Sequence, residues 1–441
     1  MDIATLLEND GFLCECGRRH STSLKKAVIR RGAVEELPAE LKKACAGPLF
    51  AFVVCDKNTY KAAGGKVEAA LSGAGIKYTT YVIPEEKPEP DERLLGSVLM
   101  HMPKGVNAVV GVGGGVINDT CKIIASRGGL PYFIVATSCS MDGFASGTSS
   151  MIRDDLKVTI DSVCPGVVIG DLDVLCAAPP RLAASGYGDM AAKYVSIAEW
   201  KMSEIINEEY CCPFICSLVD SAVALCTENR KGLKTGDEAA VRSIFEGLIL
   251  SGIAADYAQS SRAASGTEHY FSHSWDMRSL AFGAPCDLHG IQCGIGTVLT
   301  VRTYEKLLRE LGDEGPGSDD VTAPFDFERR KAELREVYGP AAEAMIESDV
   351  SNRRYDPGEH KLRFERIKAH WAELAGIIRS LPSSETIAGF LADAGCPTEP
   401  EEIGVPTEDC RRILPLICDL RYKYTLSTLL WDLGKTELFG F

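Results

Sequence analysis

The stretch Val110-Gly111-Val112-Gly113-Gly114-Gly115-Val116-Ile117-Asn118-Asp119 decides how the first half of the chain is read. An apolar run enters three consecutive glycines, and a helix-like pattern leaves them over 117–127. Glycine lacks a Cβ, so backbone there can approach a phosphate closely. The unpaired N–H groups of the new helix would then face the anion. The spacing is neither G-x-G-x-x-G nor a Walker loop. A tight strand-to-helix turn without a ligand is the alternative reading.

Working outward, the same alternation continues on both sides. Residues 49–55 form a continuous apolar run closed by Asp56, and 77–83, 108–112 and 132–136 repeat the theme. Helix-like spacing fills 60–72, 91–100 and 117–127 between them. Buried strands separated by helices predict a parallel sheet covered on both faces. Ligands of such sheets sit at the carboxyl ends of the strands. Asp56 occupies such an end, where a carboxylate can accept from a ribose and disfavour a 2′-phosphate; a helix cap is its alternative role. The polar loop 137–146 follows the fourth strand with small hydroxyls and an acid, suited to lining a cofactor cleft or simply to being a surface loop.

After Ala178-Pro179-Pro180 the pattern changes to helical periodicity over 182–202, 239–257, 269–280, 290–310 and 365–379. The predicted organisation is an α/β N-terminal domain with a Rossmann-like parallel sheet, 1–178, followed by an all-α C-terminal domain, 179–441. Gly312 to Asp320 reads as an acidic, glycine-rich exposed loop. No repeat of 20–50 residues is visible.

Composition bounds the function. The chain of 441 residues carries 47 Lys+Arg against 62 Asp+Glu, a formal charge of −15. That balance argues against nucleic-acid binding and against adhesion to anionic lipid, while a local cluster of donors still suits a small anionic substrate. No apolar run reaches the ~20 residues of a membrane span, and the start of the chain lacks the basic n-region of a signal peptide. The expected compartment is the cytoplasm, where seventeen cysteines read as reduced, buried, small apolar residues. Cys14-Glu15-Cys16-Gly17-Arg18-Arg19-His20 invites a zinc-finger reading, but no second Cys/His pair follows at finger spacing, so a local turn is the default.

Three of the seven histidines fall close together. His269 and His273 are four residues apart, hence on one helix face, and His289 follows with Gly290 leading into another helix. Asp189 reads as lying near the start of a helix, with Lys193 one turn on. Imidazoles plus a carboxylate suit a divalent ion such as zinc, and three protein ligands would leave a position open for catalysis. Spacing alone leaves open which two histidines bind, and core or surface histidines are the alternative.

These pieces, in this order, resemble the sn-glycerol-1-phosphate dehydrogenase family. It lies within the superfamily of iron-containing alcohol dehydrogenases, glycerol dehydrogenase and dehydroquinate synthase. The resemblance runs through Phe12-Leu13-Cys14-Glu15-Cys16-Gly17, the glycine turn 113–119, Ser140-Met141-Asp142-Gly143-Phe144-Ala145-Ser146, Gly186-Tyr187-Gly188-Asp189, Glu268-His269-Tyr270-Phe271-Ser272-His273, Leu288-His289-Gly290 and Arg421-Tyr422-Lys423-Tyr424-Thr425. It implies an NAD- or NADP-linked enzyme interconverting dihydroxyacetone phosphate and sn-glycerol 1-phosphate, a homodimer serving glycerol phosphate metabolism and phospholipid biosynthesis. It implies metal coordination by Asp189, His269 and His289, with zinc expected and nickel the other candidate. His273 and Asp142 would contact substrate, and Asp189 both metal and substrate. Asp56, Gly113, Gly114, Gly115, Val116, Ile117, Thr137, Ser138, Cys139, Ser140 and Ser146 would hold the nicotinamide dinucleotide. Cys139 and Thr267 depart from the family pattern. For the substrate phosphate, Lys193 and Arg262 are nominated, with exposed surface charge as the alternative. A glycerol or polyol dehydrogenase, and a dehydroquinate synthase-like lyase using NAD transiently, are the rival readings.

Overall fold

Six short runs rich in Val, Ile and aromatic residues hydrogen-bond into one sheet. They are β1 (Lys26–Arg30), β2 (Phe50–Asp56), β3 (Lys77–Ile83), β4 (Ala108–Gly113), β5 (Tyr132–Ala136) and β6 (Val167–Asp171). All pair in parallel, in the spatial order β1-β6-β5-β4-β2-β3. The computed structural model describes residues 3–8, 11–317 and 325–438. Every residue of β4, β5 and β6 is buried, which is why these strands read as unbroken apolar runs rather than alternating ones.

Strands β2 to β5 fall where the sequence predicts them; β1 and β6 are absent from that reading. β1 is an edge strand with charged ends, and in β6 Gly170 and Asp171 end the apolar run after three residues, so neither stands out as a continuous apolar strand. A separate antiparallel hairpin, Thr148–Arg153 with Leu156–Asp161, is also absent from it. Its turn is carried by Asp154 and Asp155, both at positive φ (53° and 59°), the conformation a two-residue I′ turn requires, without the glycine that would have marked it.

The strand order reverses between β2 and β4, because β3 adds outside β2 whereas β5 adds outside β4. Val54 pairs with Gly111, so two residues further on Asp56 stands level with Gly113. Gly113 pairs in turn with Ala136, the residue before Thr137. Three candidate cofactor positions therefore share the carboxyl edge at the reversal, where open α/β sheets form their ligand crevice.

Six helices position the candidate residues: α1 (Gly115–Gly128), α2 (Pro180–Ala191), α3 (Lys193–Asn207), α4 (Glu238–Ala258), α5 (Thr267–Phe282) and α6 (His289–Leu311). The chain divides into two compact units, Met1–Met190 with Ser217–Ser260, and Ala191–Cys216 with Ser261–Phe441. In the second unit every regular element among the described residues is helical. The sequence reading has a single boundary at 178, whereas here α4 belongs with the sheet. Phe245 of α4 packs on Gly170 of β6, where a Cβ would come within 2.3 Å of the ring, and stands edge-on to Phe144 at 5.6 Å. Helical periodicity is the same for a helix laid on a sheet and one in a bundle, so the sequence does not show this return.

Residues 318–320 of the glycine-rich loop lie outside the described residues. Over 312–317 the exposed reading holds for Asp313, Glu314 and Gly317, but Pro316 is buried and the Trp371 indole donates to the Gly312 carbonyl. None of the seventeen cysteines is in a disulfide, and thirteen are buried. Among the described residues no helix is long and apolar enough to cross a membrane.

Candidate active site

The glycine turn is a bare helix start. Gly114 caps α1 with no side chain, so the first-turn N–H groups have no side-chain acceptor. The glycines serve different ends. A Cβ on Gly113 would fall 2.4 Å from Ile117, so this position is fixed by strand–helix packing. A Cβ on Gly114 or Gly115 would meet nothing nearer than 3.5 Å, leaving backbone accessible to an anion. Asp56 does cap a helix: its Oδ1 accepts from the N–H groups of Asn58 and Thr59, and Thr59 Oγ1 accepts from the Asp56 N–H. Both cap bonds use Oδ1, which leaves Oδ2 outside the cap.

Loop 137–146 is held from two sides. Ser138 Oγ donates to Ser140 Oγ, and Ser185 Oγ of α2 donates to the Ser140 carbonyl. Gly186 lets α2 press onto this loop, since a Cβ there would sit 2.0 Å from the Cys139 carbonyl. Cys139 is itself buried, and desolvation pushes its thiol up to about 12. Lys122 of α1, which the sequence reading overlooks, is fully buried and donates to the Gly143 carbonyl, Ser146 Oγ and the Thr148 carbonyl. Ser146 thus serves the loop's own structure.

Asp189 is not near the start of a helix. It is the tenth of the twelve residues of α2, and Lys193 opens the next helix. Pro180 sets the start instead, because proline suits a first helical turn and fits poorly further in. Asp189 is fully buried, and its Oδ2 accepts the Asp142 N–H at 2.9 Å. Asp142 Oδ2 accepts from Ser251 Oγ of α4 at 2.9 Å. A buried carboxylate is held by such partners, since burial without them is costly.

In the second unit α5 and α6 bring the histidines together. The rings of His269 and His289 meet edge to face at 5.1 Å, and His273 lies 6.4 Å and 5.9 Å from them. His269, His289 and Cys293 each offer a ligand atom within 4.8 Å of the others. His269 and His289 are each oriented by a neighbour. His269 Nδ1 bonds to Glu268 Oε1 at 2.8 Å, and His289 Nδ1 to Ser272 Oγ at 2.9 Å. Ser272 Oγ also receives Gln292 Nε2. Both Nδ1 atoms are engaged, as in ligating histidines, and His289 Nε2 faces Cys293 Sγ at 3.6 Å, so the Nε2 atoms and this thiol are the candidate metal donors. This donor set fits a divalent ion of the zinc or nickel class.

Sequence reasoning missed four residues here. Cys293 lies one helical turn after His289, a visible i,i+4 signal; burial opposes its ionisation, but the facing His269 and His289 hold the thiol below its usual value. Glu268 and Ser272 lie within the Glu-His-x-x-Ser-His motif, whose spacing does not reveal that they orient the rings. Glu199 of α3 had no signal at all. It accepts from the N–H and hydroxyl of Thr267, from Tyr304 and from the Leu426 N–H. Burial, followed by the proximity of Glu268, pushes Glu199 up to about 7. A Cβ on Gly266 would meet Glu199 Oε2 at 2.4 Å and Glu268 Oε2 at 2.9 Å, so a larger residue there would displace these carboxylates.

The nomination of Arg262 for the substrate phosphate is overturned. Its guanidinium is buried and bonded to Glu209, the Tyr424 carbonyl and Ser203, which makes it a structural clamp. Lys193 is buried as well, so exposed surface charge describes neither residue.

Comparison with known proteins follows the same lines. Residues 28–179 match the family described as iron-containing alcohol dehydrogenase. The chain is 34% identical over 316 residues to a glycerol-1-phosphate dehydrogenase [NAD(P)+] of Halalkalibacterium halodurans, covering 70% of this chain and 79% of that one. It is 35% identical to the Bacillus subtilis protein of the same name, covering 80% and 78%. The chain belongs to the glycerol-1-phosphate dehydrogenase family. As a member of it, the protein is an NAD(P)-linked oxidoreductase. The fold is also that of the glycerol dehydrogenase from Schizosaccharomyces pombe, at 17% identity and a TM-score of 0.61, covering 95% of this chain and 90% of that one.

Proposed function

We propose that the protein interconverts dihydroxyacetone phosphate and sn-glycerol 1-phosphate, with a divalent ion, zinc in the first instance, held by Asp189, His269 and His289. The observation that carries this reading is the pair of imidazoles whose Nδ1 atoms bond to Glu268 and Ser272 and whose rings, with Cys293, offer ligand atoms within 4.8 Å of one another. Such an ion, when bound, supplies Lewis-acid polarisation of a carbonyl.

The chain's own residues do the rest. Glu268 and Ser272 fix ring orientation and raise ligand basicity. The Asp142 N–H steadies the Asp189 carboxylate, while the Asp142 side chain, turned by Ser251, contacts substrate hydroxyls. His273, one helical turn from His269 and half-buried, delivers or takes the hydroxyl proton, directly or through water. The bare start of α1, Gly113 to Ile117, holds the dinucleotide pyrophosphate. Asp56 Oδ2 accepts from the adenosine ribose and favours NAD over NADP. Thr137 to Ser140 and Ser146 line the same cleft. Lys193 is the cation proposed for the substrate phosphate. A homodimer in the cytoplasm, feeding phospholipid biosynthesis, completes the reading.

The test is an absorbance assay of NADH and NADPH oxidation by zinc-defined protein. Oxidation with dihydroxyacetone phosphate, and none with dihydroxyacetone, supports the proposal. Comparable rates on unphosphorylated polyols would favour a glycerol dehydrogenase, and turnover without net nucleotide change a lyase.

A further inference from the structure

The N-terminal Cys-x-Cys-Gly segment takes no part in the chemistry above, yet it is built with care. Phe12–Leu13 and Arg19–His20 pair antiparallel, Phe12 opposite His20. The Cys14 N–H donates to the Arg18 carbonyl and the Gly17 N–H to the Cys14 carbonyl, each at 2.9 Å, with Gly17 at φ 82° closing the turn. This local turn, the default reading of the sequence, brings the ligand atoms of Cys14, Cys16 and His20 within 4.8 Å of one another.

The histidine is held as a ligand would be. His20 is fully buried, and its Nδ1 bonds to the Tyr257 carbonyl at 2.9 Å. A carbonyl only accepts, so Nδ1 carries the proton and the Nε2 lone pair faces Cys16 Sγ, 3.4 Å away. Tetrahedral zinc, with Zn–S of about 2.3 Å and Zn–N of about 2.0 Å, sets sulfur and nitrogen about 3.5 Å apart. The His20 ring is pinned by its stack on Tyr257 and by the edge of Phe12, both at 5.6 Å.

We propose that Cys14, Cys16 and His20 bind a second, structural divalent ion of the zinc class. Tyr257 lies in the last turn of α4, and Thr22 Oγ1 bonds to Asp256 beside it. The ion would therefore fasten the N-terminal turn to the end of α4, the helix that carries Ser251. This inference stands apart from the one above, since His269→Ala removes the ion proposed there and leaves this one.

The experiment is metal analysis of the full-length protein, wild type against Cys16→Ser, with cobalt substitution as the second readout. Wild type is expected to hold one more equivalent of zinc than Cys16→Ser. Its cobalt form is expected to show a thiolate-to-cobalt charge-transfer band that survives Cys293→Ser and vanishes in Cys16→Ser. Cys16 is half-buried and the change swaps sulfur for oxygen; should the variant nevertheless unfold, the band in Cys293→Ser still decides. Equal zinc in wild type and Cys16→Ser, or a band lost with Cys293→Ser, overturns the proposal and leaves a thiol–imidazole hydrogen bond.

Discussion

Two clusters of metal-type ligands differ in how their histidines are held. At His269 and His289 the orienting partners are a carboxylate and a hydroxyl, and the neighbouring His273 and His289 are only half-buried. At His20 the partner is a backbone carbonyl, the ring is sealed between aromatic residues, and the other ligands are thiols. A carboxylate or a backbone carbonyl on the second ring nitrogen fixes the orientation of a ligating imidazole in the same way. The lesson is one of surroundings: both clusters offer imidazole and thiol donors, but one includes half-buried histidines whereas the ring of the other is fully buried beside aromatic residues.

The largest effect expected from breaking this contrast is at His269. Loss of an ion that stabilises developing charge by about 4 kcal/mol lowers turnover about a thousandfold. His269→Ala should show this in steady-state rates while NADH binding, followed by fluorescence, stays close to wild type. Next comes the carboxylate partner. Glu268→Gln is expected to weaken metal affinity about 10- to 100-fold, read by competition with a chromophoric chelator, with activity restored at high zinc. Replacing the partner at the other cluster has no such route, because it is a main-chain carbonyl.

A smaller effect concerns the acid behind Glu268. Glu199 retains its proton in the folded chain up to about 7, whereas unfolded it releases it at its ordinary value near 4.5. The folded state thus binds more protons across that window, so stability falls as pH rises through it and is level above and below. Thermal unfolding of Glu199→Gln, which cannot titrate, should show a flatter pH dependence over the same window. Smallest is Asp56→Ala, which removes a capping box and should cost about 1 kcal/mol in chemical denaturation, with discrimination between NADH and NADPH reduced.

How much of this was legible depends on the range of the interaction that decides it. Strands β3 and β5 were readable to the residue, because buried parallel strands are continuous in sequence. The carboxyl-edge alignment of Asp56, Gly113 and Thr137 followed once the strands were known. His269 and His289 were visible as a cluster, but their orientation through Glu268 and Ser272 needed coordinates. The place of Asp189 late in α2 is not legible, because helical periodicity runs on across the break between α2 and α3, and the role of Gly186 in packing on Cys139 shows only in three dimensions. Arg262 was misread because its partners Glu209 and Tyr424 lie far along the chain. Ser251, Glu199 and Tyr257 act across 50 to 240 residues of sequence, and no local pattern reports such pairs.

The most direct test of the central claim is zinc content measured beside NADH oxidation with dihydroxyacetone phosphate, in His269→Ala and His273→Ala. The account predicts that His269→Ala loses one equivalent of zinc together with its activity, while His273→Ala keeps the full complement and turns over ~10²- to 10⁴-fold more slowly. Retention of all zinc by His269→Ala, or its loss from His273→Ala, would contradict it.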